Sequence, residues 1–324
     1  METQIVEVHE IDDLSVARTD MNALALDYGW FQIEDGPWSD LTYILEAQHQ
    51  ACRHYGLYDN PHGAPQPWLQ NENPKDLGPK AAVRVRQEFQ SDFGPDGDRK
   101  IFLIVETPER FAISVNGTRI DYEDIGSWID HSFKKIDITS LIQKGRNEIL
   151  REAAPFAQDI EIDTCYLAGD FQVVERDGAF VLALEEDDLP GGDWSQQGYP
   201  FFPGGFAYSG TIDLVGVSEG ERVLIQVDEW QGVAVAVAVN GKPAGTIGWK
   251  PYQLDVSKLV QEGRNEIVVE VIGSLRNLCG PHHLVEPTPG FIHPGSFYAP
   301  NNWKDDYDFV PSGLMGPVKV VRLK

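Results

Sequence analysis

The pentapeptide Gly-Arg-Asn-Glu-Ile stands twice in this chain of 324 residues, at Gly145–Ile149 and at Gly263–Ile267. Each copy lies downstream of a Val-Asn-Gly triplet, Val115–Gly117 or Val239–Gly241, and of an apolar-Asp-apolar step around Asp137 or Asp255. The triplets are 124 residues apart and the pentapeptides 118, so the first copy carries six extra residues between its landmarks, around Tyr122–Ser132. Asn-Gly supplies the positive φ of a tight hairpin turn, and Gly145 and Gly263 allow the turn into a strand begun by Asn-Glu-Ile. These landmarks are structural. They predict the same β-unit built twice.

The remainder of the chain agrees with that constraint. The stretches AAVRVRQEF, KIFLIVE, RFAISVNG, GTIDLVGV, ERVLIQV, GVAVAVAVNG, NEIVVEVIG and PVKVVRLK alternate or run apolar between Gly, Pro, Asn and Asp, as strands of antiparallel sandwiches do. One helix is predicted in WSDLTYILEAQHQACRHYG: Ser39 or Asp40 would cap it, Leu41, Ile44, Leu45, Gln48, Cys52 and Tyr55 recur at helical spacing, and Gly56 would end it. The segment LYDNPHGAPQPWLQNENPKDLGPK reads as a linker or long loop. The expected fold is mostly β: a strand-helix-loop segment over 1–80, a first sandwich over 81–185, and a second over 186–324 with a long C-terminal loop. A length of this size accommodates about two domains.

Charge narrows the partners. Twenty-six Lys and Arg against 51 Asp and Glu give a net charge of −25, which repels phosphate backbones and anionic membrane surfaces, so neither nucleic acid nor membrane is expected as a partner. Neutral sugars are not excluded by that charge. Cys52, Cys165 and Cys279 cannot all pair, and none lies in a Cys-x-x-Cys motif. The acidic N-terminus has no apolar signal region and no run of about 18 apolar residues follows, so a soluble chain without a visible export signal is expected, cytoplasmic in preference to exported, although a piece of a longer secreted protein would read the same.

The stretch VAVNGKPAGTIGWKPYQLDVSKLVQEGRNEIVVEV resembles the jelly-roll sugar-binding module of family 2 glycoside hydrolases, a galactose-binding-like sandwich, and ISVNGTRI…IDITSLIQKGRNEI is a shorter match. DWSQQGYPFFPGGFAYSGTIDL, GSLRNLCGPHH and VPSGLMGPV resemble the C-terminal region of large bacterial enzymes related to family 2 and to family 106 α-L-rhamnosidases. The resemblance covers residues 81–324 and, upstream, LALDYGWFQIEDGPWS. In those enzymes two such sandwiches follow a catalytic barrel, and this chain shows no trace of the barrel. The resemblance therefore implies two galactose-binding-like sandwiches, and a role in carbohydrate binding or domain support beside a catalytic glycoside hydrolase domain or subunit. Two alternatives stand beside it: a self-contained glycoside hydrolase, and a structural module that forms homo-oligomers.

Glycoside hydrolysis needs two carboxyl groups about 5 to 10 Å apart. Among Asp163, Asp170, Asp228, Glu229, Asp305, Asp306 and Asp308, spacing nominates no pair. Loop aromatics are better evidence, because the apolar face of a sugar stacks on a ring while polar neighbours take its hydroxyls. Three groups qualify as a carbohydrate site: Trp194, Tyr199 and Phe202 in a Gly- and Pro-rich stretch; Trp230 and Trp249 flanking the second Asn-Gly turn; and Arg276, Asn277, His282, His283, Tyr298, Trp303 and Asp305 in and before the long loop. Packing of the first group between sandwiches, and docking of a neighbour by the loop, are the structural alternatives. No cofactor is expected. His282, His283 and His293 invite a zinc reading, yet adjacent residues of one strand point to opposite sides, which argues against a shared ion. A structural calcium would draw on DFGPDGD or WKDDYD.

Overall fold

The computed structural model describes the chain except residues 1–4, 58–76, 78–80, 96–97, 158–159, 187–188, 190, 217, 219, 287–291 and 293. The protein is mostly β and folds as two β-sandwich units. The first sandwich comprises residues 22–185 and 278–308, the second residues 1–21, 186–277 and 309–324.

The repeated landmarks occupy equivalent places. In the first sandwich the GRNEI strand Gly145–Ala153 lies between Val83–Ser91 and Ala112–Val115, antiparallel to both. In the second, Gly263–Ile272 lies between Gly205–Leu214 and Ala234–Val239 in the same sense. Along Gly263–Ile272 the side chains of Asn265, Ile267, Val269 and Val271 alternate into the interior, the period-two pattern of a half-covered sheet. The opposite sheets also correspond. Ile101–Glu106 lies between Asp130–Asp137 and Cys165–Gly169, as Arg222–Val227 lies between Gln253–Asp255 and Val318–Leu323.

The turn chemistry is duplicated atom for atom. Asn116 donates from Nδ2 to Asn147 Oδ1 at 2.8 Å, and Asn240 donates to Asn265 Oδ1 at 2.9 Å. Asn147 in turn accepts from Gln143 N and donates to the carbonyls of Gln143 and Gly145, and Asn265 does the same with Gln261 and Gly263. Both inner asparagines are fully buried. The Val-Asn-Gly and GRNEI motifs are thus two halves of one hydrogen-bonded lock. Asp137 and Asp255 accept from the amides of Thr139 and Ser257 two residues on, holding the turn between the halves.

The units cut across the sequence divisions 1–80, 81–185 and 186–324. Ile5–Glu10 and Ser15–Arg18 complete the second sandwich by pairing with Val318–Leu323 and Gly205–Leu214. Asn22–Leu26 and Tyr28–Ile33 complete the first by pairing with Cys165–Gly169 and Val83–Ser91. The long loop 278–308 belongs to the first sandwich as well. Strand pairing is the cause: an N-terminal strand follows whichever sheet edge satisfies its backbone groups.

The helix spans Ile44–Tyr55 and starts later than its sequence suggests. Thr42–Tyr43 pair instead as a short strand with Tyr28–Gly29, and Ser39 Oγ accepts from Phe31 N rather than capping a helix. Gly56, at φ 61°, ends it in the left-handed conformation that glycine adopts without strain. Its buried face, Ile44, Ala47, Ala51, Cys52 and Tyr55, packs with Phe31, Val83, Val85 and Phe156. Among the described residues no helix is long and apolar enough to cross a membrane.

Candidate functional site

The strand run predicted over NALALDYGWFQI is broken at Asp27. Asn22–Leu26 pairs in one sheet of the first sandwich and Tyr28–Ile33 in the other, so Asp27 sits where the chain changes sheets. The residue is 2% exposed. Around it residues 282–286 pair with residues 302–308. Leu284 bridges Trp303, Lys304 N donates to His283 O, Asp308 N donates to His282 O, and Asn302 clamps the backbone of Glu286 from both sides. Those bonds carry His282, His283 and Tyr307 onto Asp27.

His283 Nε2 lies 3.1 Å and His282 Nδ1 3.8 Å from Asp27 Oδ2, and Tyr307 donates its hydroxyl to Asp27 Oδ1 at 2.5 Å. Burial alone would raise the Asp27 pKa, but its contacts with His282 and His283 outweigh it and bring the group down to about 2. The sequence reading that adjacent histidines diverge is corrected here. Pro281–His283 is not part of a regular strand, so the alternation that separates neighbouring side chains does not apply, and both rings reach one carboxylate.

Above this cluster a cavity of about 370 Å³ opens in the first sandwich, its walls including Tyr28, Tyr43, Tyr298 and Trp303 and the carboxylates Glu46 and Asp305. Its aromatic wall is continuous with the buried cluster, since His283 stacks on Trp303 at 4.7 Å between ring centres and Trp303 meets Tyr43 at 4.6 Å. Tyr28 OH donates to Asp305 Oδ1 at 3.0 Å, Trp303 Nε1 approaches the same oxygen at 3.3 Å, and Tyr298 OH donates to Glu46 Oε2. Burial, and then the negative charge nearby, raises the pKa of Tyr28 and Tyr43, so both remain protonated donors at neutral pH. The result is a concave site of stacking faces, phenolic hydroxyls and two fixed acceptors.

Of the residues nominated from sequence, Tyr298, Trp303 and Asp305 line this cavity, and His282 and His283 form the layer beneath it. The others lie elsewhere. Trp194, Tyr199 and Phe202 are 3%, 1% and 2% exposed and pack edge-on and tilted around Phe206 in the core of the second sandwich, so they present no face to a ligand. Their Gly- and Pro-rich setting misled because such a stretch also turns a core aromatic cluster inward. Trp230 is half-buried against Tyr252, whereas Trp249 is exposed. Asn277 is buried, and its amide clamps the backbone of Val310. Arg276 is half-buried in the second sandwich, outside the cavity. His293 lies outside the described residues, as does part of DFGPDGD.

Asp27, Tyr28, Tyr43, Glu46 and Tyr307 were not legible as site residues. One signal did exist: an aspartate inside the apolar run LALDYGW has to be buried, and a buried carboxylate needs partners.

No family model matches the chain. It is 27% identical over 150 residues to a protein of Formosa agariphila described as "Putative beta-glucuronidase", an overlap of 39% of this chain and 13% of that protein. Among solved structures it is similar to a rhamnosidase from Novosphingobium sp. PP1Y, at 18% identity over 77% of this chain and 24% of that one, with a TM-score of 0.29. It is similar also to a Streptomyces avermitilis α-L-rhamnosidase in complex with L-rhamnose, at 12% identity over 96% of this chain and 27% of that one, with a TM-score of 0.32. At those scores the structural likeness is partial. The chain thus spans a small part of the length of each of these proteins.

Proposed function

We propose that this chain is a carbohydrate-recognising part of a glycoside hydrolase system, and that it binds a saccharide in the cavity of the first sandwich. The observation that carries the reading is the cavity wall. Tyr43, Tyr298 and Trp303 offer apolar faces beside the fixed acceptors Glu46 and Asp305, the pairing of stacking surface and directed hydrogen bonding that a sugar ring requires. The GRNEI and Val-Asn-Gly landmarks, which resemble galactose-binding-like jelly rolls, and the partial identity to a protein described as a β-glucuronidase support the same reading. A catalytic glycoside hydrolase domain or subunit is the partner this role implies.

Calorimetric titration of the chain against a panel of neutral and uronic-acid oligosaccharides tests it. Binding is expected, and Trp303→Ala should weaken it at least about tenfold, the equivalent of roughly 1.4 kcal/mol, with the circular dichroism spectrum unchanged. No binding across the panel by folded protein, or binding unmoved by Trp303→Ala and Tyr298→Ala together, would overturn it. Because two carboxylates share the cavity, aryl-glycoside turnover belongs in the same experiment. Turnover abolished by Glu46→Gln or Asp305→Asn would replace recognition with catalysis as the function. Light scattering tests the reading of a homo-oligomeric structural module, in which Trp303 would be covered by a second copy.

A further inference from the structure

The buried layer beneath the cavity has a feature that saccharide binding does not use. His283 Nδ1 lies 3.2 Å from the carbonyl oxygen of Lys304, which can only accept, so Nδ1 carries a proton. In the neutral ring Nε2 then bears a lone pair, and that lone pair faces Asp27 Oδ2 at 3.1 Å. Two electron-rich atoms do not rest at that distance unless something positive lies between or beside them. Either His283 is an imidazolium, or a cation is held there.

The surroundings favour the cation. His282 Nδ1 reaches the same Oδ2 at 3.8 Å, so a second imidazole nitrogen converges on the oxygen that His283 already faces. Among the described residues Asp27, His282 and His283 form the group of three ligand-type side chains whose donor atoms lie within 4.8 Å of one another. A tetrahedral ion with bonds near 2.0–2.2 Å sets its ligands roughly 3.3 Å apart, so separations of 3.1 and 3.8 Å bracket that edge. The outer contacts are those of a metal site: the second nitrogen of His283 is fixed by a backbone carbonyl, and the second oxygen of Asp27 accepts from Tyr307.

We propose that Asp27 Oδ2, His282 Nδ1 and His283 Nε2 bind a first-row divalent transition-metal ion of the zinc class. Two imidazoles with one carboxylate select such an ion over calcium or magnesium, which prefer all-oxygen sites. The three ligands are 2%, 6% and 1% exposed, so an ion held there would be shut off from bulk solvent. It ties the sheet-switch residue Asp27 to the loop that carries Tyr298, Trp303 and Asp305. The metal site does not depend on the saccharide reading, since its ligands are distinct from the residues that would touch a sugar.

The test uses the full chain stripped with a chelator and dialysed. Titration with Zn²⁺ should show one equivalent bound, and Co²⁺ in its place should give a visible d–d absorption band of a low-symmetry nitrogen and oxygen site. Zn²⁺ should also slow amide exchange in the described part of the 278–308 loop. Asp27→Asn and His283→Gln should lower affinity at least about a hundredfold, and the outer-contact variant Tyr307→Phe should lower it about 10–100-fold. His131→Gln, on an exposed side chain, should leave it unchanged. If the ligand variants do not fold, the stoichiometry and Co²⁺ spectrum of the wild-type chain decide alone. Folded wild-type protein that binds less than one equivalent, with nitrogen-15 correlation spectra showing protons on both ring nitrogens of His283, would overturn the proposal in favour of a buried imidazolium–carboxylate pair.

Discussion

At the scale of single residues, Asn147 and Asn265 do more for the fold than any charged pair on its surface. Each is fully buried and satisfies four polar partners, so removing either side chain strands backbone donors and acceptors where no water reaches them. Asn147→Ala and Asn265→Ala should each destabilise their own sandwich by about 2–4 kcal/mol, read as a lowered urea midpoint at unchanged slope. Exposed Arg146–Glu88, although bidentate, should contribute far less, because solvent screens it. The asparagines were visible in the sequence because turn chemistry is local: Asn-Gly and Gly-Arg-Asn announce themselves within a few residues. Asp27 was not, because its partners His282, His283 and Tyr307 lie more than 250 residues away and nothing local names them.

At the scale of elements, the two copies diverge in the connection that follows the GRNEI strand. In the first copy a short connection leads from Gly145–Ala153 to Cys165–Gly169; in the second, the chain between Gly263–Ile272 and Val318–Leu323 includes the loop that builds the cavity. Strand periodicity fixes the length and partners of the paired segments but says nothing of a connection, which is why loop residues could be nominated from sequence and only some of them brought together. The short connection places Glu161 and Asp163 close enough to Glu106, at the end of Ile101–Glu106, for their charges to interact. Burial, and then the charge of Asp163, raises the pKa of both Glu106 and Glu161. A carboxyl whose pKa is raised in the folded state contributes stability at low pH that is lost as pH rises through its folded value. Glu106→Gln removes that penalty and keeps an acceptor for Ser132. The variant should be more stable than the parent by about 0.5 kcal/mol at pH 7, and the difference should vanish below about pH 4, where the unfolded chain is also protonated. Denaturant midpoints at the two pH values measure it; an advantage that persists in acid would assign the effect to packing instead.

At the scale of the whole molecule, the duplication is nested rather than tandem. The second sandwich takes its first two strands from residues 5–18, gives way to residues 22–185 of the first, resumes at residue 186, and is interrupted once more by residues 278–308. A linear reading of the repeat could not show this, since the landmark motifs lie in the later strands of each copy. The arrangement makes the N-terminus structurally expensive to remove. Ile5–Glu10 covers the hydrogen-bonding edge of Val318–Leu323, Ser15–Arg18 covers that of Gly205–Leu214, and Ile11 between them is 5% exposed in the core with Tyr208 and Leu214. Deleting residues 1–21 would bare two sheet edges and open the core where Ile11 sat, at a cost of about 2–5 kcal/mol for that side chain alone. All strands of the first sandwich begin at Asn22 or later, so its pairing is untouched. The truncated chain should therefore melt in two steps, the second sandwich at a markedly lower temperature and the first near its original one, with early protease cleavage confined to residues 186–277 and 309–324. A single transition lowered for both sandwiches alike would show that their folding is coupled beyond what strand pairing requires.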